Sequence, residues 1–223
     1  MNLKYRLKYV KKDNLIFISH LDILKVLQRA FRRAGLNLEH SKGFNPHPKV
    51  HFAPPLPLFT SSMGEYVDVE TREDFNEKEL QKRLNNSLPD NLQIIKAEKL
   101  EENAKSLGKS LDSAIYNIIF TFDDINNISA EEISDFIVKS DELNITKKNK
   151  KGRTVTKNIK PSIFNFKCEI SGNNLIINTK LSLRTDEILS PTNVINILRE
   201  NFAELNNAKK VKLEKKDTLL FSN

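Results

Sequence analysis

Residues 3–35 read LKYRLKYVKKDNLIFISHLDILKVLQRAFRRAG, a strand pattern followed by a helix pattern. In the first part, large apolar side chains alternate with basic ones, which is typical of a half-buried strand with a basic outer face. Ser19 followed by Asp22 approximates a capping box, so we predict a helix over residues 20–34, ended by Gly35. This segment therefore predicts a strand–helix unit at the start of the fold.

The predicted helix has two different faces. Its apolar positions recur every three or four residues and predict a buried stripe, made of Leu24, Leu27, Phe31 and Ala34. On the opposite side lies an exposed, mostly basic row that begins at Asp22; we call its basic members, Lys25, Arg29, Arg32 and Arg33, the basic ridge. The helix thus joins the core to a positively charged surface.

The remaining periodicity repeats one order of elements twice. Strand patterns at 49–58, 64–70 and 91–100 and a helix pattern at 76–88 follow the first helix. In the second half, strand patterns at 113–122 and 208–216, a hairpin pattern at 164–183 and helix patterns at 129–140 and 190–202 follow. We predict an α+β fold of two tandem ferredoxin-like (βαββαβ) domains with antiparallel sheets. Their expected bounds are 1–105 and 106–223, and the second domain carries a basic hairpin insertion near 143–160.

Charge is distributed unevenly along the 223 residues. The formal net charge is +7, and successive segments carry +8 over residues 1–50, −3 over 51–100, −4 over 101–150 and +6 over 151–223. Two basic ends around an acidic middle favour a polyanionic partner, because clustered Lys and Arg release counterions from phosphates. A solvated surface without a partner explains the same composition.

Several classes of protein are disfavoured by composition. The single cysteine, Cys168, excludes an intrachain disulfide and alternates with polar residues in FNFKCEI, so we expect it to face the core. No apolar run approaches the roughly 20 residues of a membrane span, and the first residues contain no apolar signal core. We therefore expect a cytoplasmic protein with no membrane association.

The stretch SKGFNPHPKVHF, residues 41–52, predicts a rigid binding loop. Pro46 and Pro48 fix their own φ and push Asn45 and His47 to extended geometry. Gly43 permits a sharp bend or a close approach to a ligand, and the loop's charge, suited to phosphate, comes from Lys42 and Lys49. Phe44 could stack on a base, but we expect it to plug the core because phenylalanine is mostly buried. The alternative for the whole loop is a rigid entry to an edge strand.

Four histidines fall within 32 residues: His20, His40, His47 and His51. They lack a neighbouring cysteine and a short pair on one helix face, so we predict no metal site. His20 or His47 could act as acid or base on RNA, and the helix terminus favours the neutral form of His20. The alternative for His20 is a polar residue that fills the end of a helix.

The chain resembles a known bacterial family over FISHLDILKVLQRAFRRAGLNLEHSKGFNPHPKVHFAPPLPL, GEYVDVE and KNIKPSI. These stretches are similar to the bacterial radical-SAM-linked family, a domain of unknown function found beside or fused to a cobalamin-binding radical SAM protein. The family commonly has arginine where this chain has Lys49 and Lys160, which keeps the charge but loses bidentate geometry. The resemblance implies a radical SAM partner and a link to RNA or ribosome modification.

These observations lead to three functional hypotheses. The first is an RNA-binding or substrate-presenting accessory protein of a radical SAM enzyme, and we expect it to have no small-molecule cofactor of its own. Its expected RNA-binding residues are those of the basic ridge together with Lys42, Gly43, Phe44, Asn45, His47, Lys49 and Lys160. The second is a metal-independent endoribonuclease using His20 or His47; the element order also resembles CRISPR repeat-processing endoribonucleases, although LEKKDTLLFSN at the end of the chain has no glycine. The third is a protein-interaction module.

Overall fold

The structure, a computed structural model, describes residues 3–125, 127–148 and 152–221. Within these ranges the protein is α+β, with five α-helices and strands that pair mostly antiparallel. The described residues form two compact units, one of residues up to Leu111 with Leu220 and Phe221, and one of Asp112–Leu219. The α+β class predicted from the sequence is confirmed, and the domain bounds 1–105 and 106–223 stay a prediction.

The first unit contains four strands and three helices. Their bounds are β1 Leu3–Lys11, α1 His20–Arg33, β2 Val50–Phe52, β3 Thr60–Thr71, α2 Glu77–Asn85, β4 Ile94–Leu100 and α3 Leu107–Ser110. The strands lie in the order β4-β1-β3-β2, and each neighbouring pair is antiparallel. The edge strand β2 is only three residues long, far shorter than the predicted 49–58, because three further prolines follow it.

Helix α1 begins as the sequence predicts. The Ser19 hydroxyl accepts a hydrogen bond from the Asp22 backbone N–H at 3.2 Å and donates one to the Asp22 carboxylate at 2.7 Å. The helix ends at Arg33, and Gly35 follows with φ +76°, a left-handed conformation that glycine adopts without strain. Local cap chemistry thus sets both ends of the helix.

The buried face of α1 is turned slightly from the predicted stripe. Its buried side chains are Ile23, Leu27, Ala30 and Phe31, whereas Leu24 and Ala34 are only half-buried. The stripe contacts the apolar side of β1, where Tyr5 and Leu7 are fully buried. Ala34 still packs against the core, whereas the expectation for Leu24 was wrong, because helical periodicity gives the spacing of a stripe and leaves its rotation to the packing partners.

The other side of β1 carries the predicted basic outer face, and acidic residues of β3 neutralise it. The guanidinium of Arg6 binds both carboxylate oxygens of Asp68 at 2.8 Å, and both residues are buried. Lys4 lies 3.8 Å from the carboxylate of Glu70, and Lys8 lies over the ring of Tyr66. This strand therefore adds little net positive charge to the surface.

The second unit repeats the order of elements with one insertion. Its elements are β5 Leu111–Thr121, α4 Ala130–Lys139, β6 Asn144–Lys148, β7 Thr154–Asn158, β8 Ile163–Ser171, β9 Asn174–Ser182, α5 Pro191–Asn201 and β10 Lys210–Leu220. The strands of its sheet follow the order β10-β5-β9-β8, and β6 pairs with β7 as a separate hairpin. The insertion predicted near 143–160 stays a prediction; β6 and β7 pair antiparallel in this segment, and of its basic tip, predicted at 147–153, residues 149–151 lie outside the described residues.

Cys168 lies on β8 and is half-buried. Burial raises the pKa of its thiol to about 12, so the group is uncharged at neutral pH. In the described part of the chain, no helix has the length and apolar character needed to cross a membrane.

Candidate nucleic-acid interface

The basic ridge of α1 is exposed along its whole length, as predicted. All four side chains point away from the buried stripe, and Arg29 and Arg32 make no ion pair or side-chain hydrogen bond among the described residues. Lys25 lies 3.6 Å from Asp22, and Arg33 donates to the carbonyl of Ser87 at the end of α2. Arg29 and Arg32 are therefore the charges most available to a ligand, while Arg33 also holds two helices together.

The 41–47 loop has a narrow hydrogen-bonded neck. The backbone N–H of Ser41 donates to the carbonyl of His47 at 2.8 Å, and the N–H of His47 donates to the Ser41 hydroxyl at 3.0 Å. Next to this pair, His40 and Pro48 form an isolated antiparallel bridge. The neck and the two prolines constrain the ends of the loop and leave its tip in solvent.

The tip of the loop presents Phe44 fully to solvent, together with Lys42 and Asn45. The expectation that Phe44 plugs the core was wrong. The loop is closed at its neck, its tip lies in solvent, and Gly43 turns the chain with φ +135°. Burying a phenylalanine stabilises a protein by about 1.5–3 kcal/mol, so a fully exposed ring at the tip of a constrained loop is notable.

A cleft connects the ridge to the base of this loop. It measures about 220 Å³ and is lined by Gln28, Arg32, Leu36, Asn37, Leu38, His40 and Pro48. Arg32 thus faces the cleft from the helix, while His40 and Pro48 face it from the neck of the loop. The Nδ1 atom of His40 lies 3.0 Å from the carbonyl of Leu38; since a carbonyl only accepts, Nδ1 carries a proton and Nε2 of the neutral ring is an acceptor.

Lys49 lies beyond the loop with its ammonium committed to an acidic partner. Its Nζ donates to the Glu70 carboxylate at 2.8 Å, which raises the pKa of Lys49. Its backbone N–H donates to the carbonyl of Glu39 at 2.7 Å. This residue anchors the loop to β3, and its charge is already balanced.

His20 and His47 lie at opposite ends of α1. The ring of His20 contacts Phe52 edge-on with centroids 5.8 Å apart, whereas the neck that holds His47 lies at the cleft beside Arg32. Twelve residues of helix separate His20 from Arg32, which corresponds to roughly 18 Å. The structure does not bring the two histidines together as an acid–base pair.

His20 belongs instead to a partly buried polar cluster. Lys11 and Glu65 are both buried nearby; Nζ of Lys11 donates to the carbonyl of Ile18 at 3.3 Å, and Glu65 accepts from the Ser62 hydroxyl at 2.6 Å. Burial lowers the pKa of His20, and the charge of Glu65 acts in the opposite direction. The neutral form expected for His20 is thus favoured, with burial as the main cause.

Lys160 lies in the second unit and caps a helix. Its ammonium donates to the carbonyls of Ile137 and Val138 near the end of α4, the latter at 2.7 Å. A lysine at the C-terminal end of a helix satisfies carbonyls that have no partner within the helix. The ammonium of Lys160 therefore has a structural role at the C-terminal end of α4.

Sequence reasoning missed Gln28 and His40 as members of this surface. Gln28 lies four residues before Arg32, so helical periodicity alone would have placed both on one side of α1. His40 reaches the cleft only through its bridge to Pro48, a contact that no local pattern reports. Among the residues that the structure describes, no three His, Cys, Asp or Glu side chains are close enough to share a metal ion.

The model of one protein family matches residues 4–191 of the chain, and that family is described as "Uncharacterized protein conserved in bacteria (DUF2344)". No curated protein matches the chain. Among solved structures, an unknown protein from Galdieria sulphuraria is similar with 10% identity and a TM-score of 0.30, covering 100% of both chains. The acetolactate synthase small subunit from Thermotoga maritima is similar with 8% identity and a TM-score of 0.30, covering 100% of this chain and 99% of the other.

Proposed function

We propose that this chain, which belongs to the bacterial family DUF2344, is an RNA-binding or substrate-presenting accessory protein. Its binding surface comprises the basic ridge of α1, the adjoining cleft and the 41–47 loop. The observation that carries the proposal is the cleft itself, because it places the unpaired guanidinium of Arg32 beside the neck of a loop whose tip exposes Lys42 and Phe44. Guanidinium groups bind phosphate oxygens bidentately, and an exposed ring offers a face to a base.

A comparison of two basic surfaces, the outer side of β1 and the basic ridge of α1, also supports the ridge as the binding surface. On the outer side of β1, Lys4 and Arg6 face the carboxylates of Glu70 and Asp68, so most of the charge on that surface is balanced. In contrast, Arg29 and Arg32 have no acidic partner in the described part of the chain. A polyanion gains most free energy where positive charge is not already balanced.

We also propose that both units are tandem ferredoxin-like domains. The strand orders β4-β1-β3-β2 and β10-β5-β9-β8 support this, since in each unit the first and last strands lie next to one another and the third strand lies beside the first. A helix follows the first strand and another precedes the last in both units. The β6–β7 hairpin is then an insertion in the second domain.

The proposed partner is a radical SAM enzyme, in RNA or ribosome modification. This part rests on the resemblance to the radical-SAM-linked family. The chain has one cysteine, so the iron–sulfur cluster of such chemistry would be held by the partner. Co-purification from native cells with and without nuclease treatment tests the partnership, and it separates a protein contact from one that RNA bridges.

The direct test of RNA binding is a charge-removal pair of variants. Replacing Lys25, Arg29 and Arg32 with alanine leaves the contact of Arg33 with Ser87 intact, whereas a control replaces Lys78, Lys82 and Arg83 of α2 and removes the same charge. We expect the ridge variant to weaken binding and to reduce the slope of log affinity against log salt by up to about 2 for single-stranded RNA. Equal losses in the two variants, or no loss in either, would contradict the proposal.

One observation favours the alternative that the chain is an endoribonuclease: His20 lies beside buried Lys11 and Glu65. A histidine with a perturbed pKa next to buried charges is a candidate base. Cleavage of RNA in the presence of a chelator, compared between the wild-type chain and the His20→Ala and His47→Ala variants, decides this alternative. Cleavage that survives both changes, or no cleavage at all, removes it.

A further inference from the structure

We infer that this surface selects single-stranded RNA, with one unpaired base stacked on Phe44 and the adjoining nucleotide at the cleft beside Arg32 and His40. The inference rests on the proposed function and specifies its substrate class. It starts from the loop tip, where the ring of Phe44 is fully exposed and no described side chain makes a ring contact with it.

The loop is organised before a ligand arrives. Two hydrogen bonds between Ser41 and His47 close its neck, and Pro46 restricts the backbone beside it. Gly43 holds φ +135°, a conformation in which a side chain is strained, although no atom lies within 4 Å of where a Cβ would be. The glycine is thus required by the backbone turn that exposes Phe44. Because the backbone at the ends of the loop is already constrained, the loop loses less conformational entropy when a base stacks on the ring.

The cleft supplies polar groups suited to an unpaired nucleotide. Gln28 offers an amide, Arg32 a planar guanidinium and His40 an acceptor at Nε2 when its ring is neutral. Such groups can bind base edges, phosphate oxygens or a ribose 2′-hydroxyl, which donates to an acceptor. The Watson–Crick edge of a base is free for such contacts only when the base is not paired.

A duplex fits this arrangement poorly. In A-form RNA the base faces are stacked on one another and the major groove is too narrow for side chains to read. The ring of Phe44 would then meet sugar and phosphate, and binding would depend on the basic ridge and on backbone contacts at the cleft. The ridge alone gives non-specific, salt-sensitive binding, whereas the ring adds preference for single strands.

The absence of tryptophan from the sequence makes a direct optical test available. In the full-length Phe44→Trp variant, position 44 carries the sole indole, and stacking on a base quenches its fluorescence. We expect an unstructured 12-nucleotide RNA to quench this signal and to bind at least about 10-fold more tightly than a duplex of the same length. Quenching that is equal with both RNAs, or absent with both, would overturn the inference.

A matched pair of alanine variants separates stacking from general apolar contact. Phe44→Ala should weaken single-strand binding about 10-fold with the salt slope unchanged, since a base–aromatic stack is lost and no charge is removed. The control is Phe59→Ala. Phe59 also has an exposed ring, and it lies near the other end of α1, where its backbone N–H donates to the carbonyl of Ile16. This change should leave the affinity for RNA within about 2-fold. Equal effects of the two changes would overturn the inference.

The outcomes also separate this inference from the proposed function. If RNA binds and its binding depends on the ridge but not on Phe44, only this inference fails. If no RNA binds, the proposed function fails as well.

Discussion

The imidazole of His20 lies at the first turn of α1 with one edge against Phe52. Burial lowers the pKa of His20 below its usual value of 6.5. Below pH 6.5 the unfolded chain therefore binds a proton that the folded chain resists, so the folded state loses stability as pH falls from 6.5 through the lowered pKa. At neutral pH both states carry a neutral ring, and this cost is absent.

We predict that His20→Gln reduces the loss of stability between pH 7.5 and pH 5.5, because the substitute does not titrate. The measurement is the free energy of unfolding in urea for both proteins at the two pH values. His47→Gln serves as the control, since His47 is exposed in the loop. If His20→Gln and the wild-type chain lose the same stability on acidification, burial of His20 is not coupled to protonation.

Phe44 shows where residue-level reasoning ended. Its hydrophobicity favoured burial and its neighbours Gly43 and Asn45 favoured a loop; we ranked burial first, and the structure shows the ring exposed. The deciding feature is the neck, where two hydrogen bonds join Ser41 to His47 next to the bridge between His40 and Pro48. The constraint of Pro46 and Pro48 was predictable, whereas the direction in which the loop points was not.

At the scale of elements, the pairing of β1 with β3 includes a buried ion pair. Arg6 and Asp68 are directly opposite in register, their side chains are only 8% and 10% exposed, and Arg6 also donates to the carbonyl of Lys105 at 3.1 Å. Removing one member leaves a buried charge without its counter-ion. Such a change typically costs about 3–5 kcal/mol, whereas replacing both members with apolar residues is often nearly neutral.

We therefore predict that Arg6→Met lowers the free energy of unfolding by about 3–5 kcal/mol. The double variant Arg6→Met/Asp68→Leu should recover most of this loss, as measured by urea denaturation. Glu79→Ala, which breaks the exposed pair with Arg83 on α2, provides the control and should have a much smaller effect. A double variant that is less stable than Arg6→Met would show that the pair is not the source of the loss.

Helix α1 illustrates how far elements follow from sequence. Its cap at Ser19, its exposed ridge and its end before Gly35 are local features, and all three are confirmed. The rotation of its buried stripe toward Ile23 and Ala30 depends on Tyr5 and Leu7 of β1, which lie far away in the chain. The same holds for the neutralised outer face of β1, because Asp68 and Glu70 become its neighbours only through strand register.

At the scale of the whole molecule, the segment with the highest net charge is also the segment that forms the proposed surface. Residues 1–50 carry a net charge of +8, and within them the structure distinguishes balanced charges such as Arg6 and Lys49 from the unpaired Arg29 and Arg32. The charge pattern of the sequence predicted a polyanionic partner, and the helix and loop patterns predicted the ridge and loop residues that would contact it. It did not predict the cleft, because Arg32, His40 and Pro48 meet only when the helix and the loop are folded together.

Ultraviolet crosslinking of the intact protein in its native cells tests the central claim most directly. After digestion, mass spectrometry identifies the peptides that carry a covalently attached nucleotide. The account predicts RNA crosslinks at residues 41–48, centred on Phe44, and their loss in Phe44→Ala. Recovery of the protein without any crosslinked nucleotide, or with crosslinks confined to other segments such as the 143–160 hairpin, would contradict it.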